Sequence, residues 1–200
     1  MFGNLKNNQF VLQGSVLIKF FFVLCAAPMG LKSSDKQMMI VNFGVPANSV
    51  EWMVVNDSVM GGVSSSQVSI NKEGYMLFKG NVSLDYGGGF ASVRSSYEDW
   101  GIGNFAGFVI KVWGDGKTYQ FRCRMGNNFE GLSYRRYFET NNENWQEIHL
   151  PFSEFVPTYR GRIVSDAKPL EPQDIRNLGL MISDKQSGNF SLKIAWIGVY

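Results

Sequence analysis

For 200 residues the default is one domain, with room for a short appendage. Hydrophobic residues at 44% and charged residues at 18% exclude a disordered chain, and a formal net charge of +2 is too small to point to nucleic acid. Two cysteines, Cys25 and Cys123, exclude a disulfide framework, and His149 as the sole histidine supports no Cys/His metal set.

Residues 1–34 contain Lys6, Lys19 and Lys32 and no acid. Lys19 precedes the apolar run 20-FFFVLCAAPMG-30, in which Cys25 and Ala27 are spaced like the small residues before a cleavage site. Residues 1–30 therefore read as a signal peptide or N-terminal extension whose apolar core is short for a transmembrane helix. That predicts export to the periplasm or cell envelope, whereas a translation start at Met29 would leave the protein cytosolic. A mitochondrial presequence should be Arg-rich, and the first arginine is Arg94.

From about residue 37 the chain becomes a series of short strand patterns separated by turn residues. In order they are 38-MMIVNF-43, 51-EWMVV-55, 67-QVSI-70, 75-YMLFKGNVSL-84, 89-GFASVRS-95, 105-FAGFVIKVWG-114, 118-TYQFRCRM-125, 132-LSYRRYFET-140, 145-WQEIHL-150, 177-NLGLMIS-183 and 189-NFSLKIAWIGVY-200. Alternation places Tyr119, Phe121, Cys123 and Met125 on one face of the 118–125 strand, with Gln120, Arg122 and Arg124 on an exposed opposite face. In the last strand, Phe190, Leu192, Ile194 and Trp196 share a face. The turn 113-WGDGK-117 reads as a hairpin, and Pro172 opens a short helix or 3-10 turn. The stretch 156–172 reads as a long, mobile or binding loop. About ten short strands with little helix predict an all-β sandwich or jelly roll as a single domain over 37–200.

The stretch 56-NDSVMGGVSSS-66 looks most like a site. It lacks the lysine-hydroxyl pair and helix start of a phosphate loop, so a shaped β corner is the better physical account. In that reading the Asp57 carboxylate accepts backbone N–H bonds, and Gly61 and Gly62 permit a close approach. Val59 and Met60 are expected to drop into the core. Whether Asp57 only ties the corner or also faces a ligand stays open. A second candidate is basic: Arg122 and Arg124 would join Arg94, Arg135 and Tyr137 if their strands are neighbours. Such a set can bind anions, sugars or partner carboxylates, or it can be a solvated face with internal salt bridges. His149 alternates with Ile148 and Leu150 and offers no catalytic triad. No catalytic residue, metal or cofactor is expected.

The blocks 52-WMVVNDSVMGGVSSS-66, 87-GGGFASVR-94, 112-VWGDGKTYQFRCR-124, 145-WQEIHLPFSEF-155 and 184-DKQSGNFSLKIAWI-197 resemble the complex I intermediate-associated protein 30 family in order and spacing. The resemblance implies a galactose-binding-like jelly roll. Its matching positions are Trp52, Asp57, Gly61, Gly62, Gly88, Phe90, Arg94, Gly114, Asp115, Gly116, Tyr119, Asp184, Gly188 and Phe190, many of them structural. It also implies a non-catalytic chaperone that binds a protein partner, a respiratory-complex subunit, during assembly of NADH:ubiquinone oxidoreductase. The alternative is an exported carbohydrate-binding module of the same fold.

Overall fold

The computed structural model describes residues 37–44, 50–128 and 130–200. The expected signal peptide or extension over 1–30 lies outside these residues. Thirteen strands follow one another: β1 (Met38–Asn42), β2 (Trp52–Val54), β3 (Ser65–Ile70), β4 (Met76–Val82), β5 (Ala91–Ser95), β6 (Gly107–Trp113), β7 (Thr118–Met125), β8 (Ser133–Glu139), β9 (Trp145–Pro151), β10 (Val156–Tyr159), β11 (Arg162–Ile163), β12 (Ile175–Ile182) and β13 (Gly188–Val199). Helical structure among the described residues is confined to short 3-10 turns, and no helix there is long and apolar enough to cross a membrane.

The strands form two antiparallel sheets. One has the order β3-β4-β13-β6-β9, with β1 also paired to β13. The other runs β11-β10-β8-β7-β12-β5-β2. Their inner faces meet in one core, where Phe108 of the first sheet lies 4.7 Å from Phe121 of the second and Phe190 lies 6.5 Å from Tyr119, ring to ring. Aromatic pairs at these separations add specific geometry to the burial of large apolar areas. The result is the all-β jelly-roll sandwich that short, alternating, turn-bounded strands require.

Four local expectations change. The 113–117 turn is not a hairpin, because β6 and β7 belong to different sheets; it is an arch crossing the sandwich. Alternating strands flank a hairpin and an arch alike, so the pattern cannot separate them. In β13 a register shift between Ile194 and Trp196 against β6 flips the alternation. Trp196 leaves the interior, and Ile197 and Val199 are buried instead. The 156–172 stretch is not all loop: β10 pairs with β8, and β11 extends that edge through Thr158↔Ile163 and Tyr159↔Arg162. Val59 and Met60 are 69% and 68% exposed rather than in the core. In that turn the buried side chain is Asp57 instead, against which the Gly62 and Gly88 backbones pack. The Pro172 region forms a 3-10 turn, Pro172–Asp174, that gives way to β12 at Ile175.

Candidate functional site

The candidate site is framed by chain segments that cross between the sheets. The β2–β3 connection carries the 3-10 turn Asp57–Met60, closed by Gly61 in the left-handed conformation at φ 91°. The β4–β5 connection, residues 83–90, crosses back beside it. Asp57 joins the two. Only 1% exposed, its carboxylate accepts from the Ser64 amide at 2.9 Å, the Ser64 hydroxyl at 2.5 Å, the Gly89 amide at 2.7 Å and the Phe90 amide at 3.2 Å. Burial opposes its ionisation. The bonds from the Ser64 hydroxyl and the Gly89, Phe90 and Ser64 amides outweigh that and hold the carboxyl below its usual range. A Cβ on Gly88 would stand 2.6 Å from Asp57 Oδ2, so this position admits only glycine without displacing the carboxylate.

At another pair of crossings, Asp115 lies in the β6–β7 arch. Its carboxylate accepts from the Lys117 amide at 3.2 Å, the Tyr119 hydroxyl at 3.0 Å and, from β13, the Ser191 amide at 2.9 Å. Gly114 packs on Thr140, and Gly116, at φ 83°, donates to the Thr140 hydroxyl at 3.1 Å. Gly188 opens β13 at φ 96°. In the β12–β13 connection, Gln186 donates to the Thr118 carbonyl at 2.8 Å and accepts from the Thr118 amide at 3.1 Å, as a strand neighbour would. Trp52 packs on Phe43 with the rings tilted and 5.8 Å apart, and Phe190 packs edge-on against Phe78 at 4.9 Å.

The basic residues converge on the outer face of the second sheet. The register pairs Arg94 with Gly179, Gly179 with Arg122, and Arg122 with Arg135. Residues directly opposite on adjacent strands share a face, so these four form one row across β5, β12, β7 and β8. Gly179 was invisible as a site residue in the sequence. A glycine inside a strand pattern acquires meaning only when the register sets it between two arginines, where it leaves room for their stems. The neighbouring row holds Met181, Gln120 and Tyr137. Arg135 lies over the Tyr137 ring at 5.0 Å.

This face is not the solvated surface that alternation suggested. Gln120, Arg122 and Arg124 are 1%, 7% and 4% exposed. Arg122 donates to Gln120 at 2.7 Å, Ser133 at 2.5 Å and Thr158 at 3.1 Å, and Arg124 donates to Asn177 at 3.1 Å. These acceptors are neutral. Among the described residues neither guanidinium has a carboxylate within 4.0 Å, and the Nε of each is buried without a hydrogen-bond partner. Burial first, and then neighbouring guanidiniums, press Arg122 down to about 10 and Arg124 to about 9. Both therefore stay charged at neutral pH.

Above this floor opens a cleft of about 650 Å³. Val59, Met60, Leu84 and Phe90 line one side, and Arg160 and Lys185 also reach it. Six cationic side chains line the cleft against two carboxylates, Glu130 and Asp184. Asp184 already accepts from Gln120, Tyr137 and Ser183 at 3.1, 3.1 and 2.6 Å. The whole chain carries only +2, so this face concentrates more positive charge than the protein as a whole. Cys123, on the opposite side of β7, is fully buried, and burial pushes its thiol well above the usual range.

Two face-to-face antiparallel sheets, with a polar cleft on the outer face of one, define a galactose-binding-like jelly-roll module. Solved structures agree at the level of fold. A family 11 carbohydrate-binding module of a Clostridium thermocellum cellulase superposes with a TM-score of 0.59 over 84% of this chain and 95% of that one, at 16% identity. A family 30 module from the same organism gives 0.52 over 82% and 96%, at 10% identity. The chain belongs to the complex I intermediate-associated protein 30 family, whose model matches residues 41–194. The mouse complex I intermediate-associated protein 30, mitochondrial, is 27% identical over 75% of this chain and 52% of its own length. An uncharacterised Schizosaccharomyces pombe protein is 31% identical over 77% of this chain and 80% of its own. The chain thus spans about half the length of the mouse relative.

These relatives overturn the expected location. The mouse and Drosophila melanogaster proteins carry mitochondrial names, which agree neither with export nor with the cytosolic alternative. Positive charge before a short apolar run, without acids, is a physical signal shared by leaders to more than one destination. Lysine supplies the same positive charge as arginine.

Proposed function

We propose that this protein is a non-catalytic binding module acting in the mitochondrion, where it holds a protein partner during assembly of respiratory complex I. The observation that carries this reading is the extent of the family match, 41–194, which takes in nearly all of the described sandwich. The cleft supports it chemically. Its lining combines guanidiniums, an ammonium, two carboxylates, amides, hydroxyls and apolar groups, with positive charge in excess, a set suited to holding a protein surface. The partner is a subunit of a complex I intermediate, and the module shields it in the manner of a chaperone until the next subunit joins.

A carbohydrate ligand, which the solved neighbours take by name, fits this chain less well. An uncharged glycan would leave the buried Arg122 and Arg124 charges uncompensated, and among the described residues the cleft's aromatic lining is Phe90. The test is affinity purification of the tagged chain from cells of its source, with cross-linking and peptide identification. Recovery of complex I subunits, together with a complex I assembly defect when the protein is depleted, is the expected result. A normal level of assembled complex I after depletion would overturn the reading.

A further inference from the structure

Arg122 and Arg124 present a physical problem. Each is more than nine-tenths buried, charged, paired only with neutral acceptors, and carries an orphaned Nε. An uncompensated buried charge costs several kcal/mol, of the order of the desolvation penalty for one ion. Around them positive charge outnumbers negative: Glu130 bears on Arg94, and Asp184 is already engaged by Gln120, Tyr137 and Ser183. Arg94 and Arg135 flank Arg122 in the same row, and Arg160 and Lys185 reach the cleft from its rim. Among the described residues the Arg135 side chain makes no hydrogen bond or ion pair and rests on the Tyr137 ring. The Nη2 of Arg124 has no hydrogen bond to a described residue either.

The spacing of these charges says what would compensate them. Adjacent strands lie about 4.8 Å apart, so the row from Arg94 to Arg135 spans roughly 14 Å across three strand intervals. One small oxyanion cannot reach both ends. A chain bearing several anionic groups can, since acidic residues two apart in an extended peptide are separated by roughly 6.6 Å. The rim adds a second requirement. Val59, Met60, Leu84 and Tyr86 are 69%, 68%, 44% and 81% exposed, and the first three line the same cleft. The ligand must carry apolar groups beside its charges.

We propose that the cleft is the docking site for an extended acidic–apolar segment of the partner protein, its Asp and Glu carboxylates lying along the Arg94–Arg122–Arg135 row and on Arg124, and its apolar side chains covering Val59, Met60 and Leu84. This rests on the reading of the protein as a partner-binding module and names the face and chemistry it uses. The carboxylates replace the missing counter-charges with charge-assisted bonds. The signature turn Asp57–Met60 thereby gains a second role: Asp57 holds it from behind while Val59 and Met60 present the apolar wall.

The experiment titrates the full chain with a fluorescent synthetic peptide in which Glu alternates with Leu, alongside the same peptide with Gln or Lys for Glu. Binding of the Glu peptide that weakens with added salt, and that falls at least about tenfold for the Gln peptide, is expected. Arg124→Gln and Arg135→Gln should each weaken it by about tenfold; Arg135 is half-buried and its side chain forms no hydrogen bond to a described residue, so its variant tests the site even where Arg124→Gln fails to fold. Val59→Ser with Met60→Ser should weaken it with no change in salt dependence. Equal binding of the Glu and Gln peptides overturns the proposal. So does inorganic phosphate that displaces the peptide at matched concentration, or a mixed-linkage glucan that binds while the Glu peptide does not. If the peptides fail while the tagged chain still recovers complex I subunits, this site is wrong and the assembly reading stands. If the peptide binds and complex I assembles normally without the protein, the converse holds.

Discussion

Gly62 lies so close to Asp57 that a Cβ at position 62 would stand 2.4 Å from Asp57 Cγ and 2.8 Å from Gly88 Cα. The glycine is there for proximity: its φ is not among the positive values, whereas the φ of 91° at Gly61 is. The two adjacent glycines therefore answer different physical demands and should respond differently to the same change. Gly61→Ala meets open space and only backbone strain, costing about 1 kcal/mol. Gly62→Ala displaces a buried carboxylate and should cost more, about 2–3 kcal/mol. Urea denaturation of both variants checks the order, and the reverse order would remove the carboxylate from the explanation.

Asp57 also predicts an acid limb. Its carboxyl is held below the usual range in the folded protein, so as pH falls the unfolded chain takes up the proton first. The stability it contributes is complete above its unfolded value, about pH 4, and is lost as pH drops through the lower folded value. Asp57→Asn turns an N–H toward amides that donate, leaving buried donors unmatched at a cost of about 1–3 kcal/mol at neutral pH. Measured by urea titration, that cost should shrink progressively as pH falls below about 4, where the wild type begins to lose its own advantage. A cost independent of pH would show that the ionised form is not what holds the two crossings together.

Arg124 should behave as a residue kept for binding rather than for stability. Replacing a buried charge that lacks an ionic partner with an apolar side chain of similar length is often neutral or stabilising. Arg124→Met is expected to leave the melting temperature unchanged or raise it, and to reduce the gain in stability that added sulfate brings to the wild type. A loss beyond about 2 kcal/mol would make the Arg124–Asn177 bond a structural requirement instead.

Cys123 should be chemically silent in the folded state. Its thiol is fully buried and its ionisation is pushed up by burial, which outweighs the opposing effect of Arg122 and Arg124. Native-state alkylation at mildly alkaline pH, read by peptide mapping, should leave the Cys123 peptide unmodified, and denaturation should release it. Rapid labelling of the native protein would mean that β7 opens locally.

Much of the sandwich can be read from the chain because alternation is a local property. The limits of β7, 118–125, follow from the switch between Gly116 and the Gly126 turn. Where the reading departs from the structure, the missing information is pairing. Trp113–Lys117 reads as a hairpin because nothing in those residues says that β6 and β7 belong to opposite sheets. Trp196 reads as core because a bulge cannot be seen until β6 is set against β13. β10 and β11 hide among prolines and short runs and are held as an edge by β8. The arginines stand out as residues, but their assembly into one row depends on Gly179, which has no side chain to announce it.

Of the residues through which the sequence resembles this family, several lie where the chain passes from one sheet to the other: Asp57 and Gly88 in the β2–β3 and β4–β5 connections, Asp115 in the β6–β7 arch, and Gly188 at the start of β13. Strand interiors tolerate exchange among apolar residues of similar volume. A crossing held by one carboxylate and a gap the size of a hydrogen atom does not.

β13 follows every other strand in the chain, yet β4, β6 and β1 all hydrogen-bond to it. During synthesis, the first sheet therefore waits with its middle missing. β4 and β6 have exposed inner edges until Gly188–Val199 leaves the ribosome, and Met38 finds its partner Val199 only then. Such bare edges invite pairing with other chains. A chain that lacks Gly188–Val199 would thus be a sticky half-sandwich, one that aggregation or proteolysis would clear.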